Sequence, residues 1–203
     1  MNKANKITIT RIIMSMIIIL LLLFPFDEVG LEFPTYLIGG KVLVDLKYII
    51  VGILFIIASL TDFLDGYVAR KYNLVTDFGK MIDAISDKLL TNSVLIILAC
   101  NGKISTIVAV VIVMRDIVVD SIKMVIGNQG AAVAAIGLAK VKTATLMVGI
   151  ILTLFSNLPF ELISLRISDF LLAIAAVLSI ISAAKYYIMA KPYLQKAVDK
   201  GIT

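Results

Sequence analysis

Four aspartates, two glycines and an arginine are spaced so that two helices would gather their side chains. We call this set the aspartate motif; its members are Asp62, Asp65, Gly66, Arg70, Gly79, Asp83 and Asp87. In a helix Asp62 and Asp65 share one face because they are three positions apart. A second helix stacks Gly79, Asp83 and Asp87 on one face, since they follow at intervals of four. Two facing pairs of carboxylates form a cage of hard oxygen ligands, which suits Mg²⁺, Mn²⁺ or Ca²⁺.

The aspartate motif has the parts that a displacement at phosphorus needs. Four close carboxylates would repel one another and partly protonate unless cations neutralise them. Paired divalent metals do so, and they stabilise both the entering and the leaving oxygen of the reaction. Arg70 adds a guanidinium fork for phosphate, and Gly66 and Gly79 let a ligand approach the backbone closely. The alternative interpretation is a structural polar cluster in which Lys80 and Lys88 pair with the aspartates.

Composition narrows the class of protein and the chemistry. The chain has 203 residues, of which 61% are hydrophobic, and a mean hydropathy of +1.06, values typical of a polytopic membrane protein. It has no His and a single Cys, Cys100, which excludes an intrachain disulfide and a zinc site of the usual His and Cys ligands. A net charge of +5 favours anionic partners, here lipid head groups or phosphorylated substrates rather than nucleic acid.

Apolar runs predict an all-α fold with six transmembrane helices in a single domain, residues 1–203. A short segment, Asn2 to Arg11, is expected to lie along the membrane surface before the first span. No small-residue cleavage site follows that span, so we expect it to be retained. The predicted spans cover about 11–26, 47–71, 78–100, 104–127, 138–157 and 167–189.

The basic residues predict an orientation. With these spans, 15 of the 19 Lys and Arg residues fall on the side that carries both termini and the aspartate motif. By the positive-inside rule, that side faces the cytoplasm. The other side holds only Lys41, Lys47, Lys103 and Arg166, together with the acidic loop 27–46.

The order and spacing of the aspartate motif resemble the signature of the CDP-alcohol phosphotransferase family. That resemblance implies transfer of a phosphatidyl or similar group from a CDP-linked donor to an alcohol, with release of CMP. It also implies a homodimer and an Mg²⁺ or Mn²⁺ site held by Asp62, Asp65 and Asp83 and completed by Asp87, which would also take the proton of the acceptor hydroxyl. The nucleotide and diphosphate pocket would be lined by Asp65, Gly66, Ala69, Arg70 and Gly79.

Further stretches resemble the bacterial phosphatidylglycerophosphate synthases within that family. They are 5–11, 58–73, 114–120 and 140–143. This resemblance implies CDP-diacylglycerol as donor and sn-glycerol 3-phosphate as acceptor, both used at the cytoplasmic membrane. Four basic residues, which we call the acceptor cluster, could converge on the acceptor phosphate: Arg115, Lys123, Lys140 and Lys142. Asp116 and Asp120 would orient these cations or simply pair with them, and the lysines have topology as their alternative role.

Three other functions stay open on the sequence. The same chemistry with another acceptor (inositol phosphate, serine or a phospholipid) would keep the aspartate motif and change the acceptor cluster. A divalent-cation transporter would also place acids within the membrane, although a cation pathway gains nothing from Arg70. A non-catalytic scaffold would not need the complete motif.

Overall fold

Six α-helices account for most of the chain. The structure is a computed structural model that describes the backbone of residues 3–71, 77–128 and 137–201, and the side chains of residues 9–61, 82, 85–127 and 137–195. The helices are α1 (Lys3–Leu23), α2 (Leu46–Lys71), α3 (Asp77–Cys100), α4 (Thr106–Asn128), α5 (Gly137–Leu154) and α6 (Ile167–Gly201). Each predicted span corresponds to one of them.

The two terminal helices differ from the prediction. Helix α1 runs unbroken from Lys3 to Leu23, so the structure does not contain the expected turn between a surface segment and the first span. Helix α6 continues for 35 residues and includes Pro192, whereas the sixth predicted span ends at about residue 189. Most residues beyond 189 are good helix formers, such as Leu194, Gln195 and Ala197, which extend an existing helix at little cost.

The structure is mostly helical, as predicted, and contains in addition a small hairpin in the acidic loop. Strands β1 (Thr35–Ile38) and β2 (Val42–Asp45) pair antiparallel, with Ile38 opposite Val42. Gly39 and Gly40 turn the chain with φ of +61° and +67°, which glycine adopts without the steric penalty of a Cβ atom. Paired glycines between two apolar, β-branched runs are a hairpin signal, and the sequence prediction overlooked it.

The bundle has two ends with different contents. At one, the hairpin end, strand β2 contacts α2, and the Ser156 hydroxyl, just after α5, lies 3.5 Å from the Leu43 carbonyl of β2. At the same end the Asn101 amide, just after α3, donates to the Tyr48 hydroxyl of α2 at 3.1 Å. At the other, the motif end, α2 ends and α3 begins. The aspartate motif therefore lies at the opposite end from the hairpin.

The helices expose large apolar side chains to their surroundings and bury two basic side chains, unlike a typical soluble bundle. Helix α4 exposes Ile107, Val110, Met114 and Ile117, which recur at helical spacing, while Arg11 and Lys142 are buried. Apolar faces turned outward with charges turned inward are the arrangement that lipid surroundings favour. Within the described residues, two helices are long and apolar enough to cross a membrane, Gly137–Leu154 and Ile167–Gln195. Together these features indicate a membrane protein.

Candidate active site

The backbone places the aspartate motif on two consecutive helices at the motif end. Asp62, Asp65, Gly66, Ala69 and Arg70 occupy the last part of α2, and Gly79 and Asp83 occupy the first turns of α3. Their side chains lie outside the described part of the structure, so the predicted metal and nucleotide contacts stay predictions. Among the residues whose side chains are described, no three acidic, Cys or His residues gather at one point.

Asp87 is the one aspartate of the motif whose side chain the structure describes. It is half-buried on α3, and its backbone carbonyl accepts a 2.8 Å hydrogen bond from the Thr91 hydroxyl. It lines a groove of about 960 Å³ between α3 and α4, together with the charged residues Lys88, Asp120 and Lys123. The groove joins a carboxylate of the motif to a basic residue of the acceptor cluster.

A buried arginine from α1 contacts Ser86, the residue that precedes Asp87 in the chain. Arg11 is fully buried, and its guanidinium Nη1 donates to the Ser86 hydroxyl at 3.2 Å. The Ser15 hydroxyl donates to the Arg11 carbonyl at 2.8 Å. Because Ser86 precedes Asp87 directly, this contact fixes α1 against α3 at the position of the proposed base. The sequence analysis used Arg11 for orientation and as part of the stretch 5–11 that resembles the synthases, and it did not predict this contact with α3.

The centre of the acceptor cluster is a buried carboxylate. Asp116 Oδ1 accepts a 2.9 Å hydrogen bond from Arg115 Nη1 and another of 2.9 Å from Lys142 Nζ. The side chains of Asp116 and Lys142 are only 9% and 4% exposed. Removing three charges from water is costly unless they pair with good geometry, and the shared oxygen supplies that pairing. It also joins α4 to α5.

Helix α6 completes the surroundings of Arg115. The Ser182 hydroxyl accepts from Arg115 Nη2 at 2.8 Å and donates to the Ser179 carbonyl at 3.0 Å. The buried ring of Tyr186 lies 5.8 Å from the Arg115 guanidinium carbon and 5.1 Å from Lys123 Nζ, measured to the ring centroid, within the range of a cation–π contact. Neither Ser182 nor Tyr186 was predicted, since residues nearly 70 positions away in the chain give no local signal.

Two donors in this region lack an acceptor. Arg115 Nε and the Ser179 hydroxyl are buried and have no hydrogen-bond partner within the part of the chain that the structure describes. Native proteins leave few buried donors unpaired, because each costs about 1–3 kcal/mol. Arg115 Nε is therefore a donor that the described residues leave unused.

The four members of the acceptor cluster do not share one environment. Arg115 and Lys142 meet at Asp116, and Lys123 reaches the same region over Tyr186. Lys140 is exposed on α5, and positions two apart on a helix point in nearly opposite directions. Its place in the acceptor site stays a prediction. An ion pair between Lys88 and Asp120 connects α3 to α4 beside the groove.

Comparison with known proteins shows which family this chain belongs to. The sequence profile of the CDP-alcohol phosphatidyltransferase family matches residues 1–181. The chain belongs to this family. A protein of Bacillus subtilis named CDP-diacylglycerol–glycerol-3-phosphate 3-phosphatidyltransferase is 39% identical over 186 residues, which cover 92% of this chain and 93% of that protein.

Other relatives of this family member carry the same name. One from Rickettsia felis is 39% identical over 143 residues, 70% of this chain and 79% of that protein. One from Rickettsia bellii is 38% identical over 143 residues, again 70% and 79%. The family resemblance drawn from the aspartate motif is confirmed.

The shared carboxylate makes a prediction about stability. Asp116→Ala leaves two buried cations without their counter-charge, and we expect it to lower the free energy of unfolding by about 3–5 kcal/mol. Lys142→Met, measured by the same denaturant unfolding in detergent, should cost less, because Asp116 keeps Arg115 as partner. Asp120→Ala is the matched control: its pair with Lys88 is partly exposed, with side chains 42% and 32% accessible, and removing it should cost at most about 1 kcal/mol. Equal losses for Asp116→Ala and Asp120→Ala would refute the central role of Asp116.

Proposed function

We propose that this protein transfers the phosphatidyl group of CDP-diacylglycerol to sn-glycerol 3-phosphate, giving phosphatidylglycerophosphate and CMP. The observation that carries the proposal is the buried group of Arg115, Lys142 and Asp116. The ring of Tyr186 connects Arg115 of this group to Lys123, which lines the same groove as Asp87. Glycerol 3-phosphate brings a phosphate for such a group, whereas serine or plain inositol does not. The names of the relatives support the same donor and acceptor.

In the proposed reaction the acceptor-side residues have distinct tasks. The 1-hydroxyl oxygen of glycerol 3-phosphate attacks the phosphorus that carries diacylglycerol, its proton passes to the Asp87 carboxylate, and the bond from that phosphorus to the CMP oxygen breaks. Arg115 and Lys142 hold the acceptor phosphate, with Arg115 Nε as an available donor. Lys123 adds positive charge at the edge of the groove. Asp116 keeps both buried cations charged and aimed in the absence of substrate.

The donor side of the site rests on the aspartate motif. Asp62, Asp65, Asp83 and Asp87 would hold divalent metal, Mg²⁺ or Mn²⁺, because hard carboxylate oxygens suit these ions. When bound, the metal supplies positive charge that offsets the four carboxylates and the diphosphate. Arg70 would bind the diphosphate, with Asp65, Gly66, Ala69 and Gly79 lining the nucleotide pocket.

We also propose that all six helices span the membrane, with both termini and the site on the cytoplasmic side. An even number of helices that alternate in direction returns the C-terminus to the end where the N-terminus lies, which is the motif end. The excess of basic residues at that end supports its cytoplasmic location. The homodimer stays a prediction from the family resemblance.

The acceptor panel tests the reaction. Purified protein with CDP-diacylglycerol and Mg²⁺ or Mn²⁺ should release CMP when glycerol 3-phosphate is added. Inositol phosphate, inositol, serine and phosphatidylglycerol should give only background release. Inositol and serine lack a phosphate, inositol phosphate lacks the glycerol hydroxyls, and phosphatidylglycerol carries its phosphate as a singly charged diester. Release with one of these and not with glycerol 3-phosphate would keep the chemistry and refute the acceptor.

Asp87→Asn tests the base. An amide cannot accept the hydroxyl proton, so we expect kcat to fall by about 10²–10⁴-fold, while binding of CDP-diacylglycerol, measured by equilibrium titration, is retained. Asp120→Asn, at the same groove but without a catalytic task, is the control and should keep near-parental kcat. Parental turnover by Asp87→Asn would remove Asp87 from the mechanism.

The acceptor cluster is tested by its two α5 lysines. Lys142→Ala should raise KM for glycerol 3-phosphate by about tenfold or more, because it removes a charge-assisted contact, with little change in KM for CDP-diacylglycerol. Lys140→Ala, the exposed neighbour two positions away, should raise the acceptor KM by a smaller factor. If Lys142→Ala affected the two substrates equally, the cluster would be assigned to stability rather than to acceptor binding.

A further inference from the structure

A second polar pocket lies at the hairpin end, away from the aspartate motif. It has a volume of about 380 Å³, and its charged lining residues are Lys41, Lys103, Glu161, Arg166 and Asp169. The three basic residues come from separate segments: the β1–β2 turn, the α3–α4 connection and the connection that precedes α6. Only the fold brings these three cations together. We call this polar pocket the hairpin-end pocket.

The distribution of charge at this end is uneven. Three of its four basic residues line the pocket; the fourth, Lys47, lies instead over the Phe26 ring, 5.4 Å from its centroid. Of the acidic residues at this end, Asp27, Glu28, Glu32 and Asp45 are not among the lining residues. The pocket is therefore net positive within an acidic surface.

The pocket cations form no contact ion pair among the residues that the structure describes, although Glu161 and Asp169 line the same pocket. Within the described residues, neither Lys41 nor Arg166 forms an ion pair. Lys103 Nζ lies 4.1 Å from the centroid of the Tyr48 ring. Burial lowers the pKa of Lys103, while the negative charge of Asp45 acts in the opposite direction. In the described part of the chain Lys103 likewise forms no ion pair, so an anionic ligand would stabilise its charged form.

One wall of the pocket is held in place by a buried amide. Asn157 is 6% exposed; its Nδ2 donates to Glu161 Oε2 at 2.8 Å and to the Leu165 carbonyl at 2.7 Å. Its Oδ1 accepts from the Ser168 backbone N–H at 3.1 Å. These three bonds fix the segment that carries Arg166 against the start of α6. The amide also engages Glu161, so one of the two pocket carboxylates already has a partner.

We propose that the hairpin-end pocket binds a phosphate group through Lys41, Lys103 and Arg166. A guanidinium fork with two ammonium groups suits the several acceptor oxygens of a phosphate, and the volume fits a small ligand. The end of α5 and the start of α6 border the pocket, and within the described residues these two helices are long and apolar enough to cross a membrane. This places the pocket at the level of lipid head groups. The phosphate could therefore belong to a phospholipid or be free in solution.

The test uses the purified full-length chain in detergent micelles with three probes. They are short-chain phosphatidylglycerol, the matching short-chain diacylglycerol without phosphate, and inorganic phosphate. We expect Kd for the phosphate-bearing probe to rise about tenfold or more in the double variant Lys41→Gln/Arg166→Gln, and to stay within about twofold in the control Lys47→Gln, whose cation lies at the same end but outside the pocket. Diacylglycerol should bind equally weakly to the parental chain, the double variant and the control variant.

A second variant has the opposite expected sign, so a folding defect cannot imitate it. Asp169→Asn removes a repelling carboxylate from the pocket and should lower the Kd for the same probe. Binding of phosphatidylglycerol that inorganic phosphate does not displace assigns the pocket to a lipid head group; displacement assigns it to phosphate itself. Equal Kd values in the double variant and Lys47→Gln, or no binding of either phosphate-bearing probe to the parental chain, would overturn the proposal.

Discussion

The buried contact of one carboxylate with two cations is the interaction on which the rest of the site depends. Asp116 Oδ1 lies 2.9 Å from a nitrogen of Arg115 and 2.9 Å from that of Lys142. Without that oxygen, two positive charges would face each other in surroundings that stabilise neither. With it, α4 and α5 are joined, and the guanidinium is free to engage Ser182 of α6. Three helices are thereby fixed around one charge balance.

The same balance explains how a basic site can exist before its ligand arrives. Arg115 and Lys142 carry two positive charges against one negative charge, so the group keeps an excess positive charge that a phosphate can neutralise. Arg115 Nε, which has no acceptor among the described residues, gives that phosphate an unused donor. A fully neutral cluster would be more stable and less able to bind an anion, which is the usual trade between stability and function at a site.

Two groups of polar side chains lie at opposite ends of the bundle. At the motif end, Arg11 contacts Ser86 next to Asp87, and the groove continues to Lys123. At the hairpin end, Asn157 organises a second group of charges around Arg166. Between them the outward helix faces are apolar, with Met114 61% and Val118 49% exposed. Polar groups at both ends and apolar flanks between them suit a protein placed across a lipid layer.

The sequence by itself determined the helices and the identity of the chemical groups. Long apolar runs predicted six helices, and the four inner ones lie within three residues of their observed bounds. Hydrophobic length is a local property that needs no tertiary contact. The spacing of Asp62 through Asp87 was sufficient to indicate the family, since its glycines, arginine and carboxylates are close in the chain. The Gly39–Gly40 turn is also a local feature, so the sequence contained enough information to predict it.

Only the tertiary structure decided which cations meet. Lys140 and Lys142 look alike in the sequence, yet one is exposed and the other is buried against Asp116. Ser182 and Tyr186 joined the site from α6 without any sequence signal, and Lys41, Lys103 and Arg166 became neighbours although more than 120 positions separate the first from the last. Contacts of this kind depend on how each helix is rotated and packed, and helical rotation is set by the whole bundle rather than by the residues of one segment.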